Sequence, residues 1–396
     1  MTRTFKNNKI NLPCLIQENN MVDIAVVRSA NSIIYDPRVK KIIGSLNKKY
    51  SVMALGWNRD QISNKEIENY MVKLVLFHLK TSFWKPSLFR IFVRLVVFFP
   101  PFWAWLFFKL IVNRPTVVHA CDFDTLPPCY LYKILFRKKL VFDVFDRYGM
   151  ALIPQRFKKL GCLINYFEDL YGKYSDALII AGGQKVMSTF QKRPKYSEII
   201  LNCPEDYFNN SKLPTKNNTG NIKLVYTGGI RVDRSLENIA KVISELESVE
   251  LHFAGPIIDI EVFNEMQKYH NVRYHGVLEP QDAISLELTS DILIAFYNPD
   301  ILWNTITLPN KLFEAMMCRI PIITNVASEI VEDNNCGLIV PYNNDEQLRD
   351  AILRLRENPE LIKKLGENGR KAFLNKYDWK IMEKKLYRIY GNFLPE

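Results

Sequence analysis

The chain has 396 residues, 48% of them hydrophobic and 24% charged, which excludes a disordered chain and a single small core and suits two domains of about 200 residues or fewer. Its formal net charge of +11 is unevenly placed: residues 1–205 hold 31 Lys/Arg against 15 Asp/Glu, whereas residues 206–396 hold 22 against 27. A basic first half attracts nucleic acid or an anionic lipid leaflet, or is simply a solvated surface.

Residues 1–20 read as a polar arm without the continuous apolar core of a secretory signal. From Val22 short apolar runs alternate with helical segments: DIAVV (23–27), SVMAL (51–55), KLVLF (73–77), TVVHA (116–120), KLVFDVF (139–145), DALII (176–180) and EIIL (198–201). Such runs predict parallel strands, buried on both faces and joined by right-handed crossovers. Between the third and fourth lies the most apolar stretch, residues 87–113, within a segment, 84–114, expected to associate with a membrane. Its longest uncharged part, Leu95 to Phe108, is too short to span a bilayer, and Pro100–Pro101 divides it. Trp84, Trp103 and Trp105 with five basic residues suit a peripheral seat at the headgroups of an anionic membrane; a buried helix pair is the alternative.

Residues 209–221, rich in Asn, Lys, Pro and Gly, read as a linker between an N-terminal domain, 21–208, and a second one, 222–376. There the alternation restarts with KLVYTGG (223–229), ELHFAG (250–255), VRYHG (272–276), DILIAFY (291–297), PIITN (321–325) and GLIVPY (337–342). Asn344, with Gln347 three residues on, predicts a capped start for the helix that follows. The fold class is therefore α/β, two doubly wound Rossmann-like domains in tandem. Seven scattered cysteines, without Cys-x-x-Cys or a Cys/His cluster, exclude a zinc site and a disulfide framework and suit a reducing cytosol. No aromatic-basic stacking motif points to nucleic acid.

Two segments carry candidate chemistry. After KLVY, the loop Thr227-Gly228-Gly229-Ile230-Arg231-Val232-Asp233-Arg234-Ser235 runs from a strand into a helix. Gly228 and Gly229 permit close backbone approach to an anion, and Arg231 or Arg234 can neutralise a diphosphate. The pattern is not G-x-G-x-x-G, which disfavours a dinucleotide dehydrogenase. In LPNKLFEAMMCRIP (308–321), Asn310 and Lys311 open a helix that carries Glu314 one turn in. Such a carboxylate can accept both hydroxyls of a ribose and the lysine suits phosphate or sugar; equally, Lys311 and Glu314, three apart, can pair along the helix.

Together the segments resemble glycosyltransferase family 4 over nearly the whole chain. LPNKLFEAMMCRIPIIT (308–324) is similar to the family's nucleotide-sugar signature, and DPRVKKIIGSL (36–46), HACDFDTLPP (119–128), ILNCPEDYF (200–208), GGIRVDRSLENI (229–239) and YDWKIMEKKLYRIY (377–390) follow in order. The resemblance implies a GT-B fold: two Rossmann-like domains facing a central cleft, with a C-terminal helix, 377–396, crossing back to the N-terminal acceptor domain. It implies a retaining transferase that moves a sugar from a UDP- or GDP-sugar without a metal or other cofactor. The acceptor is expected to be lipid-linked or a glycan, the setting surface polysaccharide or glycolipid assembly, and the place the cytoplasmic face of the cell membrane.

Carried over residue by residue, the resemblance gives Glu314 the donor ribose, Arg234 the diphosphate, Asn310 and Lys311 the donor pocket, and Asp36 and Arg38 the acceptor side. The family's usual histidine near the transferred sugar aligns with Cys121, leaving His119 and Asp122 as catalytic candidates at the cleft floor. Its first signature glutamate falls on Ile306, and an arginine common in the phosphate loop falls on Gly229, where Arg231 can substitute. Two other expectations compete: a nucleotide-sugar epimerase of the same fold, and a catalytically silent sugar-nucleotide-binding subunit.

Overall fold

Runs of Val, Ile and Leu without polar alternation are stable as strands only where both sheet faces are covered, and each such run forms a strand in two parallel sheets. The computed structural model describes residues 22–29, 33–59, 63–79, 97–151, 153, 157–208 and 220–395. The expected arm 1–20, residues 84–96 with Trp84, and most of the expected linker lie outside them.

The first sheet holds β1 (Ile24–Arg28), β2 (Val52–Asn58), β3 (Lys73–His78), β4 (Val117–Cys121), β5 (Lys139–Val144), β6 (Ala177–Ile180) and β7 (Tyr196–Ile199), in the order β3-β2-β1-β4-β5-β6-β7. The second holds β8 (Ile222–Thr227), β9 (Val249–Ala254), β10 (Val272–Tyr274), β11 (Ile292–Ala295), β12 (Ile322–Thr324) and β13 (Gly337–Ile339), in the order β10-β9-β8-β11-β12-β13. In both, the order reverses beside the first strand of the half, the switch point at which α/β sheets open a crevice beyond their strand ends. This is the GT-B arrangement.

The helices that shape the site are α1 (Pro37–Leu46), α2 (Phe99–Asn113), α3 (Leu126–Phe136), α4 (Tyr148–Ala151), α5 (Lys158–Tyr174), α6 (Pro280–Leu288), α7 (Leu302–Ile306), α8 (Asn310–Met317), α9 (Pro359–Ala372) and α10 (Trp379–Tyr390). Asp36 caps α1, its carboxylate accepting from the backbone N–H of Arg38 at 3.0 Å and of Val39 at 3.2 Å. Asn344 accepts from the Gln347 N–H at 2.9 Å, the expected cap.

The described part of the apolar stretch before β4 carries α2. Pro100 and Pro101 occupy the first turn of α2, where a missing N–H costs nothing. Phe99, Phe102, Leu106 and Leu110 then form one stripe buried on the first sheet, with Trp57 stacked on Phe102 at 5.0 Å between centroids. Trp103 donates its indole N–H to Asp124 O at 2.7 Å, and Trp105 lies 5.9 Å from Phe102. Both rings are half-buried against the protein. Among the described residues no helix is long and apolar enough to cross a membrane.

The C-terminal helix does cross back. In α10, Trp379 donates its indole N–H to Ser45 Oγ at 2.9 Å, and Tyr387 donates its hydroxyl to Ser45 O at 2.8 Å. One buried cluster runs from Ile42 and Leu46 of α1 through Trp379, Leu386 and Tyr390 to Phe313 and Met316 of α8, tying the halves together. Arg370 of α9 adds a two-pronged pair with Asp206, at 2.8 and 2.9 Å.

Candidate active site

Loops that leave the C-terminal ends of the central strands of both sheets converge on one cleft of about 830 Å³. Its first wall comes from the β1–α1 loop (Tyr35, Asp36, Arg38) and the β5–α4 loop (Phe145, Asp146). The second comes from the loop after β8 (Arg231, Asp233, Arg234) and the segment from Tyr297 to Asn310.

On the second wall Asp233 organises both arginines. Arg231 Nε donates to Asp233 Oδ1 at 2.8 Å, and Arg234 Nη1 donates to Asp233 Oδ2 at 2.7 Å. The Arg234 guanidinium lies over the Tyr297 ring, 4.5 Å from its centroid. A short turn after β8 therefore delivers two fixed positive charges to the cleft, where a diphosphate would be held.

The glycines serve another purpose than expected. Gly228 spends its N–H on Ala254 O at 2.8 Å, and Gly229 O accepts from the Tyr226 hydroxyl at 2.9 Å. Neither lines the cleft. Gly228 and Gly255 instead let the ends of β8 and β9 touch: a Cβ on Gly255, at φ +140°, would stand 2.0 Å from Gly228 O.

Asn310 opens α8 in the cleft wall. Lys311 pairs with Glu314 along the helix and also reaches Glu287 Oε1 of α6 at 3.2 Å. Glu287 is buried, accepts from the Thr227 hydroxyl, and has its carboxyl pushed up to about 7 by burial, a shift that Lys311 opposes. Burial lowers Lys311, yet its two carboxylate partners more than offset this and hold it above the usual ammonium range. Lys311 and Glu314 keep about a fifth of their side-chain surface exposed (20% and 22%). They stand near Tyr297: burial raises that phenol, and the charges of Arg234, Lys311 and Glu314 all act on it. So α8 and the β8 loop meet around one tyrosine.

On the first wall, Asp36 pairs with Arg28 at 3.3 Å. Arg38 donates to Asp143 at 3.2 and 2.8 Å and to Ile200 O at 2.7 Å. His119 and Asp122 are not brought to the cleft surface. His119, 0% exposed in central strand β4, contacts Asp143 Oδ2 at 3.2 Å and the Tyr390 hydroxyl at 2.6 Å. Asp122, 1% exposed, pairs with Arg28 and accepts from the N–H groups of Phe145 at 2.8 Å and Asp146 at 3.2 Å. Burial first, with Asp146 and Asp124 adding, pushes its carboxyl up to about 7 against the pull of Arg28. With their polar atoms engaged beneath the floor, these two residues hold Arg38, Arg28 and the β5–α4 loop in place.

Asp146 is the residue that the motifs missed. It lines the cleft, its carboxyl is raised by burial against the influence of Arg28, and it is hydrogen-bonded to Trp303 of the opposite wall. Its position just past the end of β5, at the edge where ligands gather, was the available signal.

Comparison with known proteins agrees with this geometry. Residues 221–358 match the family model for glycosyl transferases group 1. An uncharacterized glycosyltransferase of Methanocaldococcus jannaschii is 24% identical over 379 residues, covering 87% of this chain and 91% of its own. The capsular polysaccharide biosynthesis glycosyltransferase CapM of Staphylococcus aureus is 26% identical over 190 residues, 44% of this chain and 47% of its own. Among solved structures, HepE of Anabaena in complex with UDP and glucose superposes with a TM-score of 0.70 at 13% identity, over 93% of this chain and 99% of that one. The sequence matches support a glycosyltransferase, and the structural likeness shows the shared fold.

Proposed function

We propose that the protein transfers a sugar, with retention of configuration, from a UDP- or GDP-sugar to a lipid-linked or glycan acceptor at the inner face of the cell membrane. The setting is surface polysaccharide or glycolipid assembly. The observation that carries the proposal is a cleft with unlike walls: two arginines fixed by Asp233 on one side, and Asp36 and Asp146 on the other. The complex of HepE with UDP and glucose, and the capsular role in the name of CapM, support the donor class and the setting.

In this proposal Arg234 and Arg231 take the diphosphate, Glu314 the ribose, and Asn310 and Lys311 the remainder of the donor. Charge that builds on the leaving diphosphate is met by guanidinium groups already held in place, so little reorganisation accompanies bond breaking. Asp36 and Asp146 orient the acceptor hydroxyl, whose proton passes to the departing diphosphate. Arg38, held by Asp143, shapes the acceptor wall. Closing the cleft across the Asp146–Trp303 contact keeps water from the donor.

The test has two steps. A panel of UDP- and GDP-sugars is screened for thermal stabilisation, which reports selective binding to the folded state. The stabilising donor is then incubated with and without a membrane lipid extract. Transfer of label into lipid only when extract is present is the expected result. Isomerised donor in the absence of extract identifies an epimerase, and binding without either product identifies a silent subunit.

A further inference from the structure

The acceptor-side domain turns an apolar face outward that the catalytic proposal does not use. On α3, Leu131, Ile134, Leu135 and Phe136 are exposed by 43–60%. On α5, Leu163, Tyr166, Phe167, Leu170 and Tyr174 recur every three or four residues and are exposed by 37–62%, whereas Gly161, Glu168 and Gly172 face inward. This is an amphipathic helix with its apolar stripe facing solvent. The two helices are neighbours: Tyr130 and Tyr171 meet edge to face at 5.2 Å, and Lys133 Nζ donates to Tyr174 O. Phe108 and Val112 of α2, at 59% and 58% exposure, add to the exposed apolar surface of the same domain. Single exposed apolar side chains are ordinary, but a run along two adjoining helices marks a docking surface.

Charge identifies what covers it. Residues 97–114 and 126–142 contain no Asp or Glu. The acids on or beside α5 are committed to bases: Glu168 and Asp169 to Arg147, and Asp176 to Lys133 and Lys139. Arg137, Lys158, Lys159 and Lys173 stay exposed at the helix ends. A two-fold dimer through this face would set basic rim against basic rim, whereas an anionic leaflet offers phosphates to the rim and acyl chains to the stripe.

We infer that the outer face of α3 and α5 docks the protein onto an anionic bilayer, with the aromatic and aliphatic stripe at the acyl boundary and the basic rim at the phosphates. The surface differs from the one expected at 84–114, whose described tryptophans pack inward. Its purpose rests on the proposed membrane-held acceptor. The N-terminal part of α5 packs on α4 so closely that a Cβ on Gly161 would stand 2.5 Å from Gly149 O, and Ala151 of α4 lines the cleft. Docking thereby brings the acceptor wall to the headgroup plane.

The experiment is co-sedimentation of the full chain with vesicles of phosphatidylglycerol and phosphatidylethanolamine, or of phosphatidylcholine alone. Three proteins are compared: the parent, Leu135→Glu/Phe167→Glu and Lys158→Glu/Lys159→Glu. The parent is expected to sediment with anionic vesicles only, and each variant to lose about tenfold or more in partitioning, while UDP raises the melting temperature of all three equally. A parent that stays in the supernatant, or variants that bind as the parent does, would overturn the inference. So would a parent dimer that Leu135→Glu/Phe167→Glu dissociates, because the face would then belong to a second copy. Absence of UDP stabilisation in a parent that binds vesicles counts against sugar transfer alone and leaves the docking surface standing.

Discussion

Replacing Arg234 by alanine isolates the charge to which the proposal assigns the donor diphosphate. The fold should tolerate the change, because Asp233, which loses one partner, keeps Arg231 at 2.8 Å, so no buried carboxylate is stranded. Tyr297 loses the cation over its ring but stays half-buried. What disappears is a charge-assisted contact to the diphosphate, worth about 1.5–3 kcal/mol. At about 1.4 kcal/mol per tenfold, the Kd for UDP should rise roughly 10- to 140-fold. Arg231, with 48% of its side chain exposed, is screened by solvent, and Arg231→Ala should cost no more than about fivefold. Isothermal titration of UDP at low salt measures both, with circular dichroism melts to confirm folding. An Arg234→Ala protein that binds UDP within about threefold of the parent, or an Arg231→Ala protein that is the weaker binder, would refute the assignment.

Two further outcomes follow from groups beneath the cleft. Tyr390→Phe deletes the hydroxyl 2.6 Å from His119 Nδ1 and leaves a buried ring nitrogen without it, at a cost of about 1–3 kcal/mol. Urea unfolding should show a lower midpoint, and an unchanged midpoint would argue against that bond. Glu168 has its carboxyl pushed up to about 8 by burial, a shift opposed by Arg147. The folded state therefore keeps the proton after the unfolded chain releases it near the usual carboxylate range, and stability falls as pH rises between the two. Glu168→Gln carries no such penalty, so its melting temperature relative to the parent should climb between about pH 5 and pH 8. A constant difference across that range would show that Glu168 does not titrate there.

Strands were the most legible part of the chain. Runs such as DIAVV and DALII carry their own evidence for burial on both faces, and the C-terminal ends of β1, β5, β8 and β11 then locate the cleft. Arg231 and Arg234 reach that cleft just past β8, whereas Asp36 and Arg38 reach it at the start of α1 and Asn310 at the start of α8. His119 was harder. It stands opposite Val26 of β1 and Val141 of β5, and only this pairing shows that its ring points into the domain and not into the cleft. Lys311 and Glu314 could be read from spacing either as ligands or as a pair. The pair forms, and Glu287, 24 residues upstream of Lys311, completes it with no local signal. Within 84–114, Trp103 and Trp105 were hard to place for a related reason. Composition marks tryptophan and phenylalanine as amphipathic or apolar, but which side of a helix meets the sheet is decided by packing. Trp103 and Trp105 turned inward, while Leu135 and Phe167, in segments of ordinary composition, turned out.

The return of α10 to the first domain has a consequence for how the protein is made and rearranged. During synthesis, the surface formed by Ile42, Ser45 and Leu46, together with the His119 ring, waits uncovered until the whole second domain has been translated. Residues 22–208 are thus an incomplete folding unit. A chimera that exchanges the acceptor-side half between relatives should bring its own α10, since a foreign helix would meet Ser45 and His119 with the wrong partners.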